Sequence, residues 1–578
     1  MREASPAIAG QSIQKNTESE RQLSKSIIPL NHLSTAMDMP LALFLLSALG
    51  GLWAAYDRTL SWPMLITIVL SIAIYHVIIS IGTSSSLVQK LALCGILSSL
   101  TIAIYFVTQS GHLEYPQKLM PINRLRELSR TFPQLILFRP HPNSVATFLE
   151  GWLPLAVAMT IEAKHRGARI LTGTCAAILA LAILLSASRG AWLGLALSFA
   201  VWWATYSRRN AILTTCCGLT LILVIGGYLI SVSGASLEDV SIVNQTLVPL
   251  FARPDRIAVY RGSWYLIQDF PFTGIGLGNT FAMMYSRYAL LIQVPFLTYS
   301  HNLFLQVWLN QGLLGIIAFA WLIAAFFGFI WRVGRRSNGL FQGAWLGVAV
   351  ILLHGLSDAR QYADGWTLPP LFALMGLAMA ARPKSAKAQA PKRSLVWKAG
   401  GATVAGILAI TLALARQPLA AKAYANAGAL SQARSELSEN LSDEQRNTWL
   451  KRAASYYNHA IALDQSNRTA NQRLGVLAME AQQMDNAVAY LEAAYQANPT
   501  NTTTHKALGL AYTWTGRLDQ AERLLADAPD IVEELNVWGG WWIRQGKSEW
   551  ATNAYRVSLL LKPDQPSIKK SLAAIQEN

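Results

Sequence analysis

Apolar runs of 16 to 29 residues recur along most of this chain, separated by polar intervals, and a different pattern takes over near residue 416. Crossing a bilayer takes roughly 20 mostly apolar residues in helical form. About eleven runs qualify as spans: 40–56, 62–81, 91–107, 145–161, 170–186, 191–206, 211–232, 303–331, 340–356, 366–381 and 396–415, the first and tenth being short. Positive charge gathers in four of the short loops, at Lys164, Arg166 and Arg169; Arg208 and Arg209; Arg332, Arg335 and Arg336; and Arg382, Lys384, Lys387, Lys392 and Arg393. With eleven spans and a cytoplasmic N-terminus, all four loops fall in the cytoplasm, as the positive-inside tendency requires. Segments 108–143, 187–190, 233–301 and 355–365, and everything after 416, then face outward.

After residue 416 the period changes. Leu474-Gly475 returns as Leu508-Gly509, Asp485 as Asp519 and Ala487 as Ala521, each 34 residues on, and Ala453 precedes Ala487 by the same step. Gly516 and Ala521 are echoed in a shorter register by Gly546 and Ala551, and Pro499 and Pro563 each stand 12 residues after their alanine. Paired helices with small residues at the crossings and proline after the second helix resemble the tetratricopeptide family. Such arrays bind peptides, pack on their own partner domains, or do both. The segment "WGGWWIRQG" (538–546) reads as buried helix packing or, alternatively, as a stacking platform for sugar or peptide.

Composition sharpens this division. The 578 residues are 52% hydrophobic and only 14% charged, where an ordinary soluble domain has roughly 25%. Of 48 Lys/Arg and 32 Asp/Glu, 17 of each lie from Arg416 onward, so 31 basic against 15 acidic residues leave the whole +16 in the apolar part. The chain divides into a polar cytoplasmic leader (1–38), a membrane domain (39–415) with an outer loop (233–301), and an extracytoplasmic repeat domain (416–578). The leader lacks the apolar core of a cleavable signal. Cys94, Cys175, Cys216 and Cys217 sit inside apolar runs, with no CxxC spacing, which suits buried helix positions better than disulfides or a metal.

Three outward stretches break the charge rule. One holds Lys118, Arg124, Arg126, Arg130 and Arg139, a second Arg253, Arg256, Arg261 and Arg287, and a third the lone Arg189 of "SASRGAW". Snorkelling or lipid headgroups account for such residues; so does a diphosphate clamp, because the guanidinium fork matches phosphate oxygens. "RIAVYRGSWYLIQ" (256–268) reads as an amphipathic helix along the membrane surface, with Arg261 at its apolar edge and facing the spans. Gly274, Gly276 and Gly278 follow in a tight turn with no preceding strand, so a dinucleotide site is rejected, although its amides suit an anion or the wall of a cleft. His301-Asn302 then opens a span in which Gly312 and Gly315 have the spacing of helix-packing residues. Asp358 and Arg360, near His354, either pair with each other or line one cleft. No nucleic-acid partner, cofactor or metal is implied, and no paired acidic motif of a metal-dependent sugar-nucleotide enzyme stands in the outer loops.

In "SRGAWLG" (188–194), "RIAVYRGSWYLIQDFPFTGIGLGNTF" (256–281), "HNLFLQVWLNQGLLG" (301–315) and "HGLSD" (354–358), the chain resembles the O-antigen ligase and polymerase superfamily, which includes the pilin O-oligosaccharyltransferases. "RPHPNSVATFL" (139–149) is similar more loosely, and the likeness covers roughly 41–381. It implies an all-α, GT-C-like transmembrane bundle in a bacterial cytoplasmic membrane, followed here by an α-solenoid of tetratricopeptide repeats. The implied activity takes a glycan from an undecaprenyl-diphosphate carrier and passes it to an acceptor lipid, glycan or protein hydroxyl outside the membrane. By the same resemblance Arg189 and Arg261 engage the diphosphate and His301 activates the acceptor or orients the reacting groups. Arg256, Arg253, Arg139, Asn302 and Asp358 are further candidates for donor phosphate or sugar. A chain-elongating polymerase and a protein O-oligosaccharyltransferase are near alternatives, a polysaccharide transporter or a non-enzymatic scaffold distant ones. The repeats, unusual beside plain lipid A-core ligases, are expected to recruit a protein acceptor or an assembly partner.

Overall fold

A computed structural model describes residues 35–113, 120–135, 137–204, 207, 209–210, 212, 254–333, 338–382 and 415–576. All regular structure among them is helical. The apolar part contains α1 (Asp38–Ala54), α2 (Trp62–Ile81), α3 (Ser85–Gln109), α4 (Pro142–Glu150), α5 (Trp152–Glu162), α6 (Arg166–Ser186), α7 (Arg189–Ala204), α8 (Pro254–Asp269), α9 (Leu303–Val333), α10 (Gly339–His354) and α11 (Pro369–Ala380). Every predicted run that falls among the described residues is therefore helical; runs 211–232 and 396–415 lie outside them, apart from residues 212 and 415.

Among the described residues, four helices, α2, α3, α6 and α9, are long and apolar enough to cross a membrane, and the α4–α5 pair, bent by 40°, makes a fifth if it is counted as one span. Helices α1 and α10 and the stretch Gly365–Ala380 are apolar but shorter. Two expected continuous runs are broken. The first turns at Gly151 between α4 and α5, and the second contains Gly312 at φ 67, ψ −166 inside α9. Twenty-one residues remain in α9 beyond the break, about 31 Å of helix, enough to span the hydrocarbon.

Burial follows the apolar periodicity only on the inner side. Along α2, Ile68, Ser71, Tyr75 and Ile78 are buried while Ile66, Val69, Leu70 and Val77 are exposed. An apolar outer surface of this kind is stable in lipid and not in water, which makes this an integral membrane protein. The interior interlocks through aromatic contacts such as Phe44 with Phe319 and Phe372, at 5.8 and 6.4 Å between ring centroids.

The helix ends sort onto two faces. On one, Ser61 Oγ donates to the Leu277 carbonyl, the Leu303 amide to the Gly355 carbonyl, and Tyr105 Oη to the Phe138 carbonyl. On the other, Glu162 accepts from the Gly339 amide, Asn338 donates to the Ala381 carbonyl, and Trp202 to Gln342. Lys164, Arg166, Arg169, Arg332 and Arg382 belong to the second face.

Beyond the membrane part, helices stack in pairs: α12 (Arg416–Leu437) with α13 (Asp443–Leu463), α14 (Arg468–Glu480) with α15 (Met484–Ala497), α16 (Thr502–Trp514) with α17 (Leu518–Leu525), and α18 (Ile531–Arg544) with α19 (Ser548–Leu561), closed by α20 (Pro566–Gln576). One rule builds every pair. A Cβ on Gly428, Gly475, Gly509 or Gly539 of the first helix would collide with Tyr457, Leu491, Leu525 or Tyr555 of the second, at 2.4 to 2.6 Å. The period-marking Ala453, Ala487, Ala521 and Ala551 are fully buried. The tryptophan-rich segment is packing: Trp542 meets Trp514, Trp538, Trp541 and Trp550 at centroid distances of 4.3 to 5.7 Å.

Candidate functional site

The glycine turn after α8 and the break in α9 are one structure. Gly274, Gly276, Gly278 and Gly312 all have positive φ, a backbone region open to glycine at little cost. The Ile275 amide donates to the Leu309 carbonyl at 2.6 Å and the Leu313 amide to the Pro271 carbonyl at 3.0 Å, so the turn supplies bonds that the interrupted helix loses. Asn310 Nδ2 donates to the Gly276 and Gly278 carbonyls at 2.6 and 3.1 Å. Two expectations are corrected here. The amides of Gly274, Ile275, Leu277 and Asn279 are spent on protein carbonyls rather than offered to an anion. Nor do Gly312 and Gly315 serve close helix packing: a Cβ on Gly312 would stand 2.0 Å from the Phe272 carbonyl oxygen, and one on Gly315 2.3 Å from Cβ of Gln311 in its own helix.

At the other end of this first segment of α9 sits His301, in the left-handed region at φ 55. Asn302 caps the helix, its Oδ1 accepting from the amides of Phe304 and Leu305, and its Nδ2 ties it to the Leu356 carbonyl at 2.9 Å. Tyr260 Oη of α8 donates to the His301 carbonyl at 3.0 Å, and the Tyr299 ring lies edge-on to the imidazole at 4.6 Å. The backbone is thus fixed from three elements. The imidazole is not: Nδ1 is buried and has no hydrogen-bond partner among the described residues. Burial above all, together with the Arg256 and Arg360 charges and against the pull of Asp358, pushes its pKa down from 6.5 to about 4.

Asp358 is buried in the turn after α10, accepting from the amides of Ala359 and Arg360 and from Asn143 Nδ2. Burial disfavours its charge, and the neighbouring His354, Arg360, Arg256 and His301 outweigh this, holding the carboxyl below the usual carboxylate range. Its expected pairing with Arg360 is corrected: that guanidinium bonds Asp364 at 3.1 Å and Ser144 at 2.9 Å, and lies 4.8 Å from the Tyr299 ring centre. The two residues line one mouth instead. Arg256 donates to the Ser357 carbonyl in the same turn.

Arg189 begins α7 directly after the left-handed Ala187. The next residue must be glycine, because a Cβ on Gly190 would come within 2.5 Å of the His354 ring and 2.8 Å of Ser357 Oγ. Arg189 is therefore set beside the turn that Arg256 grips. Arg261 follows Tyr260, ~100° further round α8, and is exposed rather than packed against the spans; the exposed Trp264 beside it meets Trp308 edge-on at 5.7 Å. Neither Arg189 nor Arg261 forms a hydrogen bond or ion pair among the described residues. Arg139 is exposed, four residues before Asn143, and Arg253 lies outside the described residues.

Tyr260 and Tyr299 are mouth residues that sequence reasoning did not single out. It also overlooked a buried pair, Glu150 with His354 Nδ1 at 2.7 Å. The signal for that pair was present, since Glu150 interrupts an apolar run. Among the described residues no three His, Cys, Asp or Glu side chains gather as a metal-binding group.

The loop carrying Arg256 and Arg261 is held from behind by the repeat array. Asp269, the last residue of α8, is buried between Arg468 and Arg473 of α14, the latter at 2.6 Å. Arg287 bridges Glu436 and Glu480, Arg473 stacks 3.9 Å from the Tyr288 ring centre, and Asn426 accepts from the amides of Phe272 and Thr273. Thr503 and Lys506 of α16 bind the Ala289 and Leu290 carbonyls. First helices of three successive pairs thus grip this chain's own loop.

Residues 174–320, which contain Arg189, Arg261 and His301, match the family model for O-antigen ligase, and residues 478–538 match that for the tetratricopeptide repeat. No curated protein matches the chain. The chain thus carries an O-antigen ligase-like stretch within its membrane part and a tetratricopeptide-repeat match within its C-terminal array.

Proposed function

From that family match, we propose that the protein transfers a glycan from an undecaprenyl-diphosphate carrier to an acceptor hydroxyl at the mouth around His301. The observation that carries this reading is the buried Nδ1 of the His301 imidazole, without a hydrogen-bond partner among the described residues and with the charges of Arg256, Arg360 and Asp358 about it. The acceptor oxygen attacks the anomeric carbon, the bond from that carbon to the phosphate oxygen breaks, and the lipid diphosphate leaves with the bonding pair. The hydroxyl proton passes to His301. Negative charge grows on the leaving diphosphate, and the guanidinium groups of Arg189 and Arg261, closing on it, stabilise it. Proton removal by a positioned base is worth roughly 10²–10⁴-fold. An imidazole at about 4 is a weak base in the empty site, and the arriving diphosphate, a dense negative charge, raises its basicity when it is needed.

The concentration of Lys164, Arg166, Arg169, Arg332 and Arg382 on the face opposite the mouth supports a cytoplasmic assignment for that face. The mouth and the repeats then work outside a bacterial cytoplasmic membrane. Acceptor lipid, glycan and protein hydroxyls share this chemistry. A ligase and a polymerase differ only in which of them is presented. A transporter would place its ionisable groups along a path through the bilayer, whereas the described ones here gather at the two helix-end faces.

The test is transfer in vitro from an undecaprenyl-diphosphate glycan to lipid, glycan and protein acceptors, comparing wild type with His301→Ala and Arg261→Ala. Turnover should fall at least ~10²-fold in His301→Ala with the folded state unchanged. Normal turnover in both variants removes the assignment.

A further inference from the structure

A second site lies at the far end of the same helical segment. The turn joining α1 to α2 meets the start of the repeat array across an open cleft of about 480 Å³, within the range typical of small-ligand sites. Trp53, Asp57, Arg434, Glu439, Asn440 and Trp449 line it. We propose that this cleft binds the glycan chain at sugar units removed from the bond being made; this rests on the glycan-transfer reading above.

The chemistry of the walls selects a neutral polyol. Arg434 lies 4.9 Å from the Trp53 ring centre and 5.2 Å from that of Trp449, and donates to the Trp53 carbonyl, so its guanidinium braces two indoles instead of awaiting an anion. Ser438 Oγ donates to the Tyr56 carbonyl at 2.7 Å and fixes the opposite wall. Trp53 nonetheless keeps 53% of its surface open, an apolar plane suited to the C–H face of a sugar ring. Around it stand oxygen acceptors. Only one oxygen of Asp57 is used, by Thr59, and Glu439 has no hydrogen bond or ion pair among the described residues. Two carboxylates offset Arg58 and Arg434. A phosphate would meet those carboxylates, and an acyl chain would leave them unsatisfied, whereas sugar hydroxyls donate to them.

Position agrees with chemistry. Ala55, beside Trp53, packs on Gly276, whose carbonyl Asn310 holds. From Asn310 back to His301 is nine residues of the same segment, about 14 Å at 1.5 Å per residue. That is the reach of a short oligosaccharide whose reacting end sits at His301.

The test uses full-length protein, the lipid-linked glycan of the producing cell, the same glycan released from its lipid, and a donor carrying a single sugar. Wild type should bind the released glycan in saturation-transfer NMR, and Trp53→Ala and Glu439→Gln should weaken that binding roughly tenfold. With the full-length donor both variants should show a raised KM and nearly unchanged kcat, and with the single-sugar donor neither constant should move. A raised KM confined to a glycan acceptor would assign the cleft to the acceptor chain and still support it. Equal losses with both donors, or wild-type behaviour throughout, would overturn it. So would loss of binding to phosphatidylglycerol vesicles in place of loss of glycan binding. Glu439→Gln keeps shape and exposure, so it remains informative should Trp53→Ala fold poorly. Failure of the transfer reading would show separately, as wild type and His301→Ala alike in turnover, while the NMR measurement still judges the cleft.

Discussion

The first segment of α9 has two ends of opposite character. At Gly312 the helix breaks, and the break is filled by the glycine turn, with Ile275, Leu313 and Asn310 supplying or taking the freed hydrogen bonds. At His301 the backbone is equally well held, yet the side chain ends in an unpartnered buried nitrogen. Both ends use a left-handed residue. Glycine takes that conformation at little cost, and histidine does not. Residues near each other in one family motif thus do different work: the satisfied end builds the scaffold, and the unsatisfied end keeps its hydrogen-bonding capacity for a ligand.

The largest blow to this contrast comes from Gly312→Ala. Its Cβ would stand 2.0 Å from the Phe272 carbonyl oxygen at a positive φ, a cost of roughly 3 kcal/mol or more. Folded yield and thermal stability in detergent should drop together with turnover; full stability would show that the break is not structural. Asp269→Asn comes next. It leaves Arg473 buried with its charge unmatched, at about 3 kcal/mol, and limited proteolysis should then cut between the loop and the repeats. Unchanged protection would mean the clamp is not held by this carboxylate.

Acidity probes the mouth alone. In the free protein kcat/KM should stay flat from about pH 8 to about pH 5 and fall roughly tenfold per unit below the His301 pKa of about 4. An inflection near 6.5 contradicts this environment. The stability sign is fixed too: the unfolded imidazole titrates at 6.5 and the folded one at about 4, so the unfolded chain binds more protons between them. The stabilisation from this group is complete above 6.5 and is lost as pH falls through 4. The smallest effect is the sharpest. His301→Gly relaxes a strained backbone and should hold or raise stability, by up to ~1 kcal/mol, seen as an unchanged or higher unfolding temperature, while turnover collapses. A destabilised His301→Gly would mean that the ring packs rather than serves.

Much of this was legible in the sequence, for physical reasons that differ by region. Apolar runs announce spans because lipid enforces their length, and the alanines spaced 34 apart announce paired helices because only a methyl group fits where they cross. His301 and Asn302 stood out as polar residues at a helix mouth. Hidden were the relations that depend on a third body. Gly312 has the spacing of a packing residue, and nothing in α9 itself reveals that residues 272–276 come back to fill the gap. Arg360 looked like a partner for Asp358 because they are neighbours in sequence, but Asp364 lies one helical turn on and took that role. Asp269 lies about 200 residues from Arg468 and Arg473, and no periodicity connects them. Glu150 could have been found, since a lone carboxylate in an apolar run demands a partner.

The grip of α12, α14 and α16 on residues 269–290 also bears on engineering. Exchanging the repeats between such proteins, in the hope of redirecting one to a new acceptor, would sever Asp269 and Arg287 from their counterparts. A workable chimera must carry the loop and the array as one cassette.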